Sequence, residues 1–225
     1  MAYGWQLWLS PRPARRTDTP RESCILSAND ATLYEFLYDV DGRFSVRETH
    51  YAENKTVQDG TSGPPLHIHL RQTEYFQVQQ GVLAVVKNGK ESVMTKDDGI
   101  LEITPGTRHR FWAHSPVREN LVIKVWAEPQ DLGHTFDESF LRNGVGYLRN
   151  CQQQNMEPSI FQMALLGWSS DIIFVTPPFW VPLWILKLVQ YVIGFIIGQF
   201  LLGYRTTYPE YNLKSRDNTN NKKKE

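Results

Sequence analysis

The chain contains few cysteines and carries no net charge, and both absences narrow its function. Cys24 and Cys151 are its only two cysteines, far apart and without CxxC spacing, which argues against a disulfide framework, a cysteine zinc site or a redox motif. Its 24 lysines and arginines balance 24 aspartates and glutamates. Because no overall electrostatic field attracts nucleic acid, we expect no nucleic-acid partner.

Nucleotide-binding motifs are also missing. The sequence has neither a glycine-rich phosphate loop nor a dinucleotide-binding fingerprint, which argues against a nucleotide cofactor. No secretory signal is recognisable, because the first arginines follow the short apolar start of the chain, whereas a signal peptide has its positive charges first. We therefore expect a protein on the cytoplasmic side whose cofactor is at most a metal ion.

The chain does contain 41% hydrophobic residues among its 225 residues, enough for one core with additional segments. These residues are unevenly spread, and they divide the chain into ranges of different character. We predict an N-terminal arm (1–30), a β-barrel (31–130), a helical connector (131–178), an apolar helix that associates with a membrane or packs (179–204), and a polar tail (205–225).

The range 31–128 has the pattern of short β-strands. Runs such as RFSVRETHY, EYFQVQQ, VLAVVK and LVIKVWA alternate or cluster β-branched and aromatic residues, with turn signals at short intervals. This spacing predicts a sandwich or a barrel. Asn88 and Gly89, which separate two such runs, supply the positive φ angles of a type I′ turn, so we predict a hairpin there.

A helix is predicted over residues 135–151, TFDESFLRNGVGYLRNC. Thr135 is a candidate N-cap, since Glu138 follows it at the spacing of a capping box. The two glycines weaken the helical pattern without removing it.

Two histidines one residue apart, His67 and His69, stand in GPPLHIHLRQTEYFQVQQG. Because side chains alternate faces along a strand, both imidazoles point the same way, as two ligands of one metal ion must. Glu74 follows after a gap that permits a bend, and His109 begins another β-like run after a Pro-Gly turn. A carboxylate on an inward face is costly unless it is paired or bound to a metal. The candidate metal ligands are therefore His67, His69, Glu74 and His109.

The other three histidines, His50, His114 and His134, are left unassigned. A single histidine in a strand is more often a hydrogen-bonded core residue than a ligand. We therefore place only the four clustered residues in the site.

The four candidate ligands stand in segments that resemble the two motifs of the cupins, a family of small β-barrels. The first motif usually reads G(X)5HXH(X)3–4E(X)6G, and HIHLRQTEYFQVQQG fits it from His67 through Glu74 to Gly81. The second usually reads G(X)5PXG(X)2H(X)3N, and GILEITPGTRHRFWA keeps Gly99, Gly106 and His109 of it. The resemblance covers about residues 31–128.

Two positions depart from the second motif. Thr104 stands where proline is usual, with Pro105 beside it, and Ala113 stands where asparagine is usual. Neither departure touches a ligand position, so the implied metal site is unaffected.

The resemblance implies a mainly β protein, a single cupin (jelly-roll) β-barrel, here with a helical, hydrophobic C-terminal extension. It also implies one divalent metal, iron, manganese, nickel or zinc, held by the four candidate ligands, with Glu74 and His109 as catalytic residues. The family includes dioxygenases, isomerases, epimerases and decarboxylases, and also storage and regulatory proteins. In size and two-part build the chain is similar to single-cupin oxidoreductase-like proteins of fungal polyketide pathways.

Three imidazoles and one carboxylate leave one or two positions of a divalent metal open. Iron or manganese would suit a dioxygenase-type oxidation, whereas zinc, nickel or manganese would act as a Lewis acid in an isomerase, dehydratase or cyclase. A barrel that only binds a small ligand or a metal is the remaining alternative. The inward apolar residues favour a small, partly apolar or aromatic substrate, with Phe76, Val78 and Phe111 as candidate pocket residues.

The segment 183–203 is apolar and long enough to cross a bilayer as a helix. Lys187, Gln190, Gly194 and Gly198 lie near one helical face, so we expect the barrel, or a partner helix in a homodimer, to pack there. Positive charges lie beyond the segment, so a spanning helix would place the barrel across the membrane without a signal. We expect 183–203 to lie on or dip into the cytoplasmic membrane surface, with a packing or dimer-forming helix as the alternative.

Overall fold

The computed structural model describes residues 3–114, 118–133, 135–175 and 180–212. In this part of the chain, two antiparallel sheets of six and five strands enclose the main core. A helical region follows the barrel in sequence and packs against it. The predicted β-barrel with a helical C-terminal extension is confirmed.

The strands are numbered along the chain. They are β1 (Cys24–Leu26), β2 (Thr32–Tyr38), β3 (Phe44–His50), β4 (His67–His69), β5 (Thr73–Gln80), β6 (Leu83–Lys87), β7 (Lys90–Met94), β8 (Ile100–Ile103), β9 (His109–Ala113), β10 (Leu121–Glu128) and β11 (Ile172–Phe174). The six-stranded sheet has the order β1-β2-β3-β10-β5-β8, and the five-stranded sheet has the order β11-β4-β9-β6-β7.

One helix precedes the barrel strands, one short helix lies among them, and the others follow β10. The helices are α1 (Gly4–Leu9), α2 (Lys55–Gln58), α3 (Glu138–Gln153), α4 (Ile160–Ser169) and α5 (Leu183–Gln190), which continues directly as a π-helix (Tyr191–Leu201). We call the continuous helix 183–201 the C-terminal helix. Two 3-10 turns, Ala28–Asp30 and Lys96–Asp98, complete the described elements.

The core lies between the sheets, where alternate residues of each strand point. In β10, Leu121, Ile123, Val125 and Ala127 are buried, while the residues between them are partly exposed. Two-residue alternation of this kind is what a strand with one buried face requires. Since β10 lies in the middle of the larger sheet, its inward side chains join the two halves of the core.

The predicted hairpin is confirmed between β6 and β7, which pair from Leu83 with Met94 to Lys87 with Lys90. Asn88 and Gly89 connect them with φ angles of 50° and 80°. Positive φ at both central residues is the signature of a type I′ turn.

The predicted start of the first long helix is wrong. Helix α3 begins at Glu138 and runs to Gln153, with Asp137 rather than Thr135 as its N-cap. The Asp137 carboxylate accepts a hydrogen bond from the Phe140 backbone N–H at 2.8 Å, whereas the Thr135 hydroxyl donates to the Leu132 carbonyl oxygen. Both residue types can cap a helix, and the carboxylate nearer the first free N–H groups takes the position.

Strands also occur outside the range predicted for the barrel. The range 131–178 contains β11 as well as α3 and α4, and β11 pairs with the strand that carries His67 and His69. The range 1–30 contains β1, which pairs with β2. The five predicted boundaries remain predictions, but the described barrel takes a strand from each flanking range.

The small-residue face of the C-terminal helix packs against the protein itself. A Cβ on Gly194 would lie 2.6 Å from the Leu165 backbone nitrogen, and one on Gly198 would lie 3.0 Å from the Phe161 carbonyl oxygen. The Gln190 side chain binds the backbone of β11 through the Ile172 carbonyl oxygen. Lys187, which we expected on this face, is exposed instead, since the helix register turns it outward.

Residues 205–212 also contact the helices, although we predicted a polar tail from 205 onwards. Tyr208 and Tyr211 are buried against α3, and the Tyr211 hydroxyl donates to the Asn150 side chain at 2.8 Å. Their rings are apolar and only their hydroxyls need a partner, which explains the burial. The rest of the tail, and Pro177 and Pro178 before the C-terminal helix, lie outside the described residues.

Candidate metal centre

The four candidate ligands meet inside the barrel although three strands carry them. His67 and His69 occupy the two ends of β4, Glu74 lies near the start of β5, and His109 begins β9. β4 and β9 are neighbours, with His67 opposite His109, while Glu74 reaches across from the other sheet. The alternation of strand side chains therefore directs all four toward one point, as predicted.

Their ligand atoms all lie within 4.8 Å of one another. The His109 Nε2 atom is 2.8 Å from Glu74 Oε2, and His69 Nε2 is 3.5 Å from the same oxygen. The Nε2 atoms of His67 and His69 are 3.2 Å apart. All four residues are buried, with exposed fractions of 5% or less.

Hydrogen bonds behind the cluster orient two of the imidazoles. His67 Nδ1 lies 2.9 Å from the Pro65 carbonyl oxygen, and His109 Nδ1 lies 3.1 Å from that of Thr107. Because a carbonyl oxygen only accepts, we assign the proton to Nδ1 in both rings. Their Nε2 lone pairs then point into the cluster, which is the orientation a metal ligand needs.

With these protons on Nδ1, the short contact between His109 and Glu74 inside the cluster has no proton to form a hydrogen bond. His109 Nε2 and Glu74 Oε2 approach to 2.8 Å as two acceptors. His69 Nδ1 is buried and has no hydrogen-bond partner among the described residues. Acceptors that converge without protons repel each other, and a cation between them removes the repulsion. The donor set of three imidazoles and a carboxylate therefore fits a divalent metal.

The electrostatics of the cluster favour the same protonation states. Burial, with the neighbouring imidazoles of His109 and His69, holds the pKa of His67 well below its ordinary value, so this ring is neutral. Burial alone would raise the pKa of Glu74, but the adjacent imidazoles of His69 and His109 lower it below its ordinary value, so the carboxylate is ionised. Neutral imidazole and ionised carboxylate are the forms that bind metals.

A cavity of about 290 Å³ opens beside the cluster, and His67 and Glu74 contribute to its wall. Phe136, which precedes α3, packs its ring edge-on against His69 with centroids 5.7 Å apart. Phe140 and Leu141 of α3 line the same cavity. The ligand set thus lies in a largely apolar chamber that α3 partly closes.

Of the three predicted pocket residues, the structure brings only Phe111 to the cavity wall. Phe76 and Val78 are buried in the barrel core and are not among the lining residues. The Phe76 ring packs edge-on against Phe111 at a centroid distance of 4.8 Å, so Phe111 separates it from the cavity. Strand alternation gives the direction of each side chain correctly but does not say which neighbour covers it.

Sequence reasoning missed a second buried polar group. Glu48 lines the cavity, and its carboxylate lies 3.1 Å from His50 Nε2. We had left His50 unassigned as a core histidine, and it is fully buried in the core. The signal available in the sequence was the pair itself, since Glu48 and His50 are two polar residues on the inward face of one strand.

Comparisons with known proteins agree with this geometry. Residues 55–123 match the family model described as Cupin domain. The probable oxidoreductase virH of Hypocrea virens is 55% identical over 94% of this chain and 95% of its own length. The oxidoreductase iacF of Pestalotiopsis fici is 47% identical over 89% of this chain and 100% of its own length.

A solved structure is also similar in part, a sugar phosphate isomerase from the cupin superfamily of Silicibacter pomeroyi. It covers 45% of this chain and 62% of its own, with 18% identity and a TM-score of 0.35. The two fungal relatives carry the assignment, because their similarity extends over nearly the whole chain. This protein belongs to the cupin family, and its full-length relatives are fungal proteins named oxidoreductases.

Proposed function

We propose that this protein is a metal-dependent oxidoreductase that acts on a small, partly apolar or aromatic metabolite in a secondary, polyketide-like pathway. The observation that carries the proposal is the buried set of four ligand atoms within 4.8 Å, next to a cavity of about 290 Å³. The names of the two fungal relatives support the reaction class. The pathway assignment rests on the resemblance in size and build.

A divalent metal in this site would supply Lewis acidity and, if it is iron or manganese, electron transfer. The residues of the chain prepare the site for it. Pro65 and Thr107 hold the imidazoles of His67 and His109 with Nε2 inward. Glu74 stays ionised, so its negative charge offsets one of the two positive charges of the metal.

The surrounding side chains select the substrate. Phe111, Phe136 and Phe140 present aromatic surface to the cavity, which favours a flat, apolar body over a sugar phosphate. Helix α3 contributes Phe140, Leu141 and Val145 to the wall of the chamber. A substrate oxygen would approach the cluster from the cavity side, where His67 and Glu74 lie in the wall.

The test is oxygen uptake by protein loaded in parallel with iron, manganese, nickel or zinc, using a panel of small phenols and enols. We expect uptake with iron or manganese, and at least about a hundredfold loss in Glu74→Gln. Glu102→Gln, an exposed carboxylate on β8, is the matched control and should retain activity.

The two other candidate functions give different results in the same experiment. Turnover that continues without oxygen and with zinc would identify a Lewis-acid isomerase, dehydratase or cyclase. Metal and ligand binding without turnover of any panel member would identify a binding module. Full oxygen uptake by Glu74→Gln would contradict the role of the carboxylate.

A further inference from the structure

The inner face of β3 carries a buried acid–imidazole pair outside the ligand set. Glu48 is 4% exposed and His50 is 0% exposed. His50 Nε2 lies 3.1 Å from Glu48 Oε2, and its Nδ1 lies 3.3 Å from the Thr32 hydroxyl. In the described part of the chain, His50 is the one side chain that hydrogen-bonds the Glu48 carboxylate. The other carboxylate oxygen is therefore available to a molecule in the cavity that Glu48 lines.

Tyr34 lies beside this carboxylate. Tyr34 and Glu48 are direct partners in the register of β2 and β3, and both contribute to the cavity wall. Burial and the negative charge of Glu48 hold the pKa of Tyr34 well above its ordinary value, so its hydroxyl stays protonated. A carboxylate and a phenol thus stand side by side in a chamber that is otherwise mostly apolar.

The register of the large sheet fixes how far this pair lies from the metal ligands. Phe76 of β5 and Val46 of β3 both pair with Val125 of β10. Glu74 precedes Phe76 by two residues and Glu48 follows Val46 by two, and β3 and β5 run parallel to each other. The two glutamates are therefore four residues apart along the strands, about 13 Å, and two strand spacings apart across the sheet, about 10 Å, so their backbones are about 16 Å apart. Phe111 also lines the cavity, with its ring 6.4 Å from that of His50.

We propose that Glu48 and Tyr34 form a second recognition subsite, which binds a hydroxyl group at the end of the substrate remote from the metal. His50 holds the Glu48 carboxylate in position for it. This inference rests on the proposed function and adds a substrate class to it. The substrate is an aromatic or enolic molecule with two oxygen groups. One oxygen binds at the metal site, and the other is an alcohol or phenol hydroxyl. The two are separated by about the length of one aromatic ring and a short substituent.

A hydroxyl satisfies the two side chains better than other groups of similar size. It donates to the Glu48 carboxylate and accepts from the Tyr34 phenol at the same time. A carboxylate on the substrate would repel Glu48, and an ammonium would have to lose its water in a chamber of aromatic rings. A methyl group would leave the buried carboxylate without a partner, and the site would reject it.

The test compares two probes that differ by one hydroxyl, tyrosol and para-ethylphenol, by calorimetric titration of zinc-loaded and zinc-free protein. Wild type should bind tyrosol at least about tenfold more tightly. Glu48→Gln should remove most of this preference, and Tyr34→Phe should remove part of it. The matched control is Glu35→Gln on β2, whose carboxylate pairs with Arg47 on the outer face and should leave the preference unchanged.

Zinc content, measured on the same samples, separates this inference from the proposed function. The subsite is supported if wild type and Glu48→Gln contain equal amounts of zinc and Glu48→Gln no longer binds tyrosol more tightly than para-ethylphenol. An unchanged preference in Glu48→Gln, tighter binding of tyramine than of tyrosol, or no binding of either phenol overturns it, whatever the zinc content. Absence of zinc from wild type would count against the metal site alone, because zinc-free protein still reports the hydroxyl preference.

An independent observation concerns the outer face of the C-terminal helix. Its buried line, Leu186, Gln190, Gly194 and Gly198, faces the protein. The opposite line is exposed and apolar throughout, Trp184, Leu188, Val192, Ile196 and Phe200. Only 22% of the most apolar part of this helix is buried, although the helix is long and apolar enough to span a membrane. A helix inside a soluble core would be mostly buried.

Helix α1 extends this apolar surface from the other end of the chain. The Gln6 side chain donates to the Leu201 carbonyl oxygen at 2.8 Å and fixes α1 at the end of the C-terminal helix. On its free side α1 exposes Trp5 and Trp8, the latter with 81% of its surface accessible. Trp180 is also exposed, at the beginning of the C-terminal region. We call these exposed residues of α1 and of 180–201 the apolar face.

The charged residues within the two segments that form the apolar face have one sign. Neither 3–17 nor 180–209 contains an aspartate or glutamate. The exposed cations in these segments are Arg15, Lys187 and Arg205. A second copy docked on this face would bring like charges together, whereas an anionic lipid surface offers both an apolar layer and opposite charge. Tryptophan is also the residue that concentrates at the boundary between lipid and water.

We infer that the apolar face is a peripheral binding surface for anionic membranes. The C-terminal helix lies flat on the bilayer and does not cross it, because its inner line is held by α4 and β11. Two segments from opposite ends of the chain contribute to the surface. The barrel is thereby kept next to a lipid layer, where apolar metabolites concentrate.

The test is co-sedimentation of the full chain with phosphatidylcholine vesicles that contain about one quarter phosphatidylserine. Wild type should bind, and binding should weaken with added salt or without phosphatidylserine. Ile196→Ser/Phe200→Ser should bind at least about tenfold more weakly. Val93→Ser/Ile100→Ser, two similarly exposed apolar residues on the barrel, is the matched control and should bind as wild type does.

Sedimentation velocity without lipid completes the experiment. A monomer that binds vesicles through Ile196 and Phe200 supports the inference. If the wild type is a dimer that does not bind vesicles, and Ile196→Ser/Phe200→Ser is a monomer, the face is a dimer interface and the inference is overturned. A monomeric wild type that does not bind vesicles would overturn the inference as well. So would equal vesicle binding by Ile196→Ser/Phe200→Ser and Val93→Ser/Ile100→Ser.

Discussion

In the barrel, the residues that depart from the usual pattern of folded proteins are polar and buried, whereas in the C-terminal helix they are apolar and exposed. His67, His69, Glu74 and His109 are all buried, while Trp184 and Phe200 are 66% and 70% exposed. Stability alone favours neither arrangement, because buried polar groups and exposed large apolar groups both cost free energy. The partners proposed above would complete each region, a metal inside and a lipid surface outside.

Metal binding should have the largest effect on the barrel. If the four ligands hold a metal, a concentration about a hundredfold above its dissociation constant raises the free energy of unfolding by about 2.7 kcal/mol. Glu74→Gln should lose most of this increase, and Glu102→Gln should retain it. Urea unfolding with and without added zinc measures both. An equal increase in the two variants would contradict the assignment of Glu74 as a ligand.

A pair of glycine substitutions should separate the two helical environments. Gly194→Ala should lower the free energy of unfolding by about 1 to 3 kcal/mol, because the new Cβ would lie 2.6 Å from the Leu165 backbone nitrogen. Gly144→Ala, on α3, meets nothing within 4 Å and should raise it by about 0.5 to 1 kcal/mol.

Thermal and urea unfolding of both variants measure the difference. The opposite signs are the essential result, since both changes add the same methyl group to a helix. A stabilising Gly194→Ala would show that the C-terminal helix does not pack on α4 as described.

The pH dependence of metal-stripped protein should be smaller but of defined sign. The pKa of His67 is lower in the folded protein than in the unfolded chain. As the pH falls through about 6.5, this histidine therefore binds a proton in the unfolded chain but not in the folded protein. Its contribution to stability is therefore present above about pH 6.5 and is lost as the pH falls, by at most about 1.36 kcal/mol per pH unit. The lowered pKa of Glu74 acts in the same direction at lower pH.

Urea unfolding between about pH 5 and pH 7 tests this dependence. His67→Gln should show a shallower slope than wild type, and His114→Gln, which changes a histidine outside the cluster, should not. A slope of opposite sign in wild type would contradict the neutral state of His67.

The ligand set could be predicted from the sequence because its signals are local. His67 and His69 share a face by strand alternation, the cupin spacing supplies Glu74 and His109, and a single Asn-Gly pair identifies the hairpin. The first and last of these inferences need only a few neighbouring residues, whereas Glu74 and His109 need the motif spacing of the family. The candidate ligand cluster and the central barrel could therefore be predicted without knowing which strands pair.

The features that were missed depend on distant parts of the chain. β11 has three residues, too few to be distinguished from an apolar turn, and its strand character comes from pairing with β4. Phe76 lies behind Phe111, which only the packing of two strands reveals. Glu48 faces a cavity that α3 completes from a separate range of the chain.

Metal analysis of the purified protein tests the central claim most directly. Wild type prepared without chelator, and His114→Ala as control, should each contain about one divalent metal ion per chain. His69→Ala should lose most of it, because the remaining ligands cannot hold the same geometry. A wild type without metal, or equal metal in His69→Ala and His114→Ala, would contradict the account.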